Sequence, residues 1–138
     1  MLCWLLGEPR SDEVRDALAA AELVLSSSLT LVECDRVLIR AVALGGLARE
    51  HALERRALLA GSSDHWIVFA IDDEVVERAR QPFPAEPVRT LDAVHLATLA
   101  STRALVADLS LLSLDERVRR SARLMGVNVV PAEVSQPG

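Results

Sequence analysis

Four short apolar runs, LVLSSS (23–28), WIVFAI (66–71), LSLLSL (109–114) and VNVV (127–130), constrain this chain more than any other feature. Each is of buried-strand length and is bounded by serine, aspartate, glycine or proline. Between them lie segments with helical punctuation. SDEVRDALAAAEL follows Pro9, with Ser11 expected as N-cap and two acidic residues in its first turn. TLVECDRVLIRAVAL closes on Gly45-Gly46, and AREHALERRALLAG is expected to end at Gly61. Asp72 caps DEVVERAR, and PFPAEP is a proline-rich loop. TLDAVHLATLAS is apolar nearly all round and is expected to be buried. Asp115 caps ERVRRSARLM, which Gly126 ends. Strands that alternate with helices define an α/β fold around a mostly parallel sheet. Its sites form outside the carboxyl ends of the strands.

The chain has 138 residues and no linker or repeat, so one domain over 1–131 with a short tail at 132–138 is expected. No apolar run reaches the ~20 residues that span a bilayer. MLCWLL is too short for a secretory core and lacks a basic start. A cytoplasmic protein with no membrane partner is the expectation. Cys3 and Cys34 form no CxxC and read as core or half-buried thiols.

Absences exclude chemistries. All 15 basic residues are arginine, and there is no lysine and no tyrosine. A Walker lysine, a Schiff-base lysine and a tyrosine acid or base are therefore ruled out. The aromatics are Trp4, Trp66, Phe69 and Phe83, too few for a base-stacking surface. A net charge of −5 speaks against bulk electrostatic binding of nucleic acid but leaves room for a local basic rim. His51, His65 and His95 lie in different elements without metal-binding spacing. His95, one turn beyond Asp92, either packs or bonds to it.

Three carboxylates stand in apolar settings. Glu33 shares a helical stripe with Leu29, Val37, Ala41 and Leu44. It either completes a capping box with Thr30 or serves a site. Asp92 lies in the first turn of the most apolar helix. The helix dipole contributes roughly 0.3–1 kcal/mol there, less than burial of a carboxylate costs. Asp115 is an N-cap directly after a strand, and one oxygen can cap while the other faces a ligand. If the three converge they repel, by about 4 kcal/mol for a pair ~4 Å apart at an effective dielectric of ~20. A hard divalent cation resolves this, and Mg²⁺ is held by one or two carboxylates with waters and phosphates.

The segments LLGEPRSDEV, SLTLVECDRVL, RTLDAVHLATL and LSLLSLDERVRRSARLMGVNVVP, in this order and spacing, resemble PIN-domain proteins of the VapC toxin type. The resemblance covers nearly the whole chain. It implies a three-layer α/β/α sandwich and a Mg²⁺- or Mn²⁺-dependent endoribonuclease. It further implies an RNA substrate, a cognate antitoxin and a homodimer. It places the family's acidic site on Glu33, Asp92 and Asp115, as metal ligands and catalytic groups. Arg36 and Arg89 are the nearest arginines in sequence, with no role assigned to either. The chain departs from the family at its start. MLCWLLGEP matches the middle of the family's first helix, so the first central strand and its aspartate have no counterpart. A start codon placed too late is one expectation. The other is a truncated, inactive module that binds an antitoxin-type partner.

Overall fold

The computed structural model describes residues 5–132, so Cys3, Trp4 and nearly all of the expected tail lie outside the described residues. The chain gathers into two compact units, Met1–Ala70 and Ile71–Gly138.

The first unit contains α1 (Ser11–Ala20), β1 (Leu25–Ser27), α2 (Ser28–Ala43), α3 (Arg49–Ser63) and β2 (Ile67–Phe69). β1 and β2 pair in parallel, with Leu25 opposite Ile67 and Ser27 opposite Phe69. The serine cluster makes the strand-to-helix turn. Ser27 ends β1 and caps α2, its Oγ accepting from the Leu29 N–H at 3.1 Å. α2 stops where Gly45 takes φ +75°, a conformation costly for any residue with a Cβ. Leu5, Cys34, Leu38 and Leu59 form the core, with Leu31 and Trp66 packed against it.

Three expectations change here. Ser11 is the first helical residue of α1, and Arg10 precedes it with φ 71° and no side-chain cap. α3 runs through Gly61 to Ser63, because an interior glycine costs a helix only about 1 kcal/mol. The burial expected of WIVFAI is also incomplete. Ile67 and Val68 are 47% and 38% exposed. Consecutive strand residues point to opposite faces, so this two-stranded sheet is open on both sides of β2.

The second unit contains α4 (Asp73–Ala79), α5 (Thr90–Arg103), β3 (Ser110–Leu112), α6 (Glu116–Leu124) and β4 (Asn128–Val130). β3 and β4 pair in parallel from Ser110–Asn128 to Leu112–Val130. Asp72 caps α4 through the Val75 N–H at 3.0 Å. Ala93, Leu96, Ala97 and Leu99 carry α5 into a core with Val75, Phe83, Val118, Ala122, Val127 and Val129. The buried hydroxyl of Thr102 is satisfied within the helix, donating to Thr98 O at 2.8 Å. Gly126, at φ +80°, ends α6 and turns the chain into β4. Among the described residues no helix is long and apolar enough to cross a membrane.

Candidate functional site

The starts of α5 and α6 carry the site. The backbone of Arg89 is the N-cap of α5, its carbonyl accepting from the Ala93 N–H at 2.8 Å. Asp92 therefore falls in the first helical turn, with its side chain only 16% exposed. It lines a narrow crevice whose walls include Val88, Leu96 and Val118. A carboxylate beside such an apolar wall needs a counter-charge. Arg89 provides it, with Nε donating to Asp92 Oδ2 at 2.7 Å.

The same guanidinium reaches the next helix. Its Nη2 donates to Asp115 Oδ2 at 2.8 Å. Asp115 is fixed by its cap, since Oδ1 accepts from the N–H groups of Arg117 at 2.9 Å and Val118 at 3.3 Å. Its own N–H donates to Ser113 Oγ at 3.2 Å. One oxygen thus caps and the other pairs with Arg89. Two carboxylates near one another repel, and the cation that relieves this one is an arginine. The hydrogen bond to Asp92, then the charges of Asp92 and Asp115, hold the Arg89 guanidinium above its ordinary pKa.

Glu33 lies in the first unit, half-buried on α2. The capping-box alternative for it does not hold. Ser27 is the N-cap, which puts Thr30 inside the helix and Glu33 a turn too far along. Its neighbour Asp35 is engaged elsewhere, accepting from Arg56 Nε at 3.1 Å and Nη2 at 3.2 Å. Arg36 is exposed on the same helix. His95 is half-buried one turn beyond Asp92.

Among the described residues no group of three or more His, Cys, Asp or Glu side chains is placed to hold a metal ion. The donors that meet in the second unit are two aspartates. They still suit a hard divalent cation. Both offer carboxylate oxygen, their Oδ2 atoms already share one positive group, and Mg²⁺ needs only one or two carboxylates from a protein.

Arg89, named from the sequence without a role, is the residue that joins the two aspartates. Its signal was present as an oppositely charged pair three residues apart, Arg89 and Asp92, at a helix start. Its second bond, to Asp115, has no local signature.

Asp92 in the first turn of α5 and Asp115 at the N-cap of α6 are joined by one arginine in an α/β chain with parallel strands. The PIN domain family matches residues 1–124, and the chain belongs to that family, in its VapC-type branch. It is 36% identical over 124 residues to Ribonuclease VapC46 of Mycobacterium tuberculosis (strain ATCC 25618 / H37Rv), covering 89% of this chain and 85% of that protein. This places the chain with the toxin–antitoxin ribonucleases. Among the described residues, six helices and parallel strands agree with a PIN-like α/β/α fold.

Proposed function

We propose that the protein is a Mg²⁺- or Mn²⁺-dependent endoribonuclease, the toxin of a toxin–antitoxin pair. The observation that carries this reading is the meeting of Asp92 and Asp115 at one cation, in a chain of the VapC type. Asp92 and Asp115 would hold the divalent ion or its waters. A bound divalent ion supplies Lewis acidity toward a phosphodiester oxygen and an acidified water. The chain's own part is positioning. The N-cap bonds hold the Asp115 carboxylate in one orientation, and the crevice wall excludes water from one side of Asp92. RNA as substrate, an antitoxin and a second copy as partners, and the cytoplasm as location belong to the same proposal. So does a single domain over 1–131, supported by a family match that crosses the division at Ala70 and Ile71.

The test is RNA cleavage in Mn²⁺ and in EDTA. Wild-type protein cleaves only with Mn²⁺. Asp92→Asn and Asp115→Asn remain folded and lose at least about 100-fold, since even groups that merely support metal ligands cost 10–100-fold. Cleavage in EDTA, or unaltered cleavage by Asp92→Asn, overturns the reading. Absent cleavage with retained binding of an antitoxin-type peptide favours the inactive module.

A further inference from the structure

We propose that Arg89 occupies the divalent-cation position in the metal-free protein and competes with the metal for it. The inference rests on reading Asp92 and Asp115 as metal ligands. Asp115 has two oxygens, and Oδ1 is committed to the backbone of α6. Oδ2 is the one the cap leaves available, and Arg89 Nη2 takes it at 2.8 Å. Nε of the same guanidinium takes Asp92 Oδ2 at 2.7 Å. Metal and arginine therefore need the same oxygen of Asp115, the one that the cap does not use.

The side chain is built to stay and able to leave. Two donors on one rigid planar group match two acceptor oxygens, which the point charge of a lysine cannot do. Arg89 is tethered at the N-cap of the helix that carries Asp92, so its local concentration is high. Yet its side chain is 59% exposed, and swinging into solvent gives up little packing. A dication draws two carboxylates more strongly than a single positive charge does, so the metal displaces the arginine once its concentration suffices. Arg89 then sets the metal concentration at which the site loads.

The opposing view makes Arg89 a clamp that holds the aspartates ready for metal. The two views predict opposite signs. Mn²⁺ is titrated into wild type, Arg89→Gln, Arg89→Lys and Asp92→Asn, with free Mn²⁺ read by its electron paramagnetic resonance signal and folding by circular dichroism. Arg89→Gln binds at least about tenfold tighter than wild type, within the range by which neighbouring groups tune metal affinity. Arg89→Lys falls between them, and it decides the question alone if Arg89→Gln does not fold. Equal or weaker binding by both Arg89 variants, with wild-type binding that Asp92→Asn abolishes, overturns the role of Arg89 and leaves the metal site standing. Absence of Mn²⁺ binding in wild type and both Arg89 variants overturns the metal site and this inference with it.

Discussion

Asp115 Oδ2 accepts a hydrogen bond from Arg89 Nη2 at 2.8 Å, across 26 residues of sequence. That bond ties the N-cap of α5 to the N-cap of α6. Both aspartates sit at helix N-termini, where the backbone dipole favours negative charge. The arginine then sets how close the two carboxylates stand.

Asp115 has two separable duties, and substitutions divide them. Asp115→Asn keeps a good cap but loses the charge that pairs with Arg89. Asp115→Ala loses both and should be the less stable by about 1 kcal/mol, the typical worth of an N-cap. The exposed pair adds little, since such pairs contribute about 0–1 kcal/mol. Urea unfolding measures the difference. Equal stability of the two variants would show that the cap bonds contribute nothing.

The four strands were legible because apolar runs with hard boundaries admit few readings. β1, β3 and β4 fall inside LVLSSS, LSLLSL and VNVV, and Asp72 and Asp115 cap as their positions dictate. Gly45 and Gly126 end helices at positive φ, where side chains are disfavoured. Gly61 does not end its helix because an interior glycine costs only about 1 kcal/mol. Ser27 and Thr30 both offer a hydroxyl ahead of apolar residues, and only the end of β1 decides between them. Asp92 was legible as anomalous, and its pairing with Arg89 was readable from their three-residue spacing at a helix start. The link from Arg89 to Asp115 depends on how α5 and α6 pack, which no local pattern encodes.

Arg119 holds the strand ends of the second unit. Only 2% of it is exposed, and its Nη1 and Nη2 donate to Ser113 O at 2.7 Å and Pro131 O at 2.8 Å. Arg119→Met retains bulk but strands both carbonyls. It should cost about 2–4 kcal/mol in urea unfolding, as unsatisfied buried groups do. A loss under about 1 kcal/mol would mean that water replaces the guanidinium.

Cys34 gives the alkaline limb of stability. It is fully buried, and burial pushes its thiol up to about 11 from 9.0. The native state then keeps a proton that the unfolded chain releases, so stability falls as pH rises from 9 toward 11. With neither lysine nor tyrosine, few other side chains titrate in that window. Wild type should lose about 2 kcal/mol more than Cys34→Ala between pH 9 and 11. Parallel pH profiles for the two proteins would show that Cys34 ionises without penalty in the folded state.

The metal site itself is tested most directly by melting temperature against Mn²⁺ concentration, in wild type and Asp92→Asn. A ligand that binds only the native state adds about 2.7 kcal/mol at 100 times its dissociation constant, which raises the melting temperature by several degrees. The account predicts that rise in wild type and none in Asp92→Asn. The same rise in both proteins would contradict it, because the cation would then be bound without Asp92.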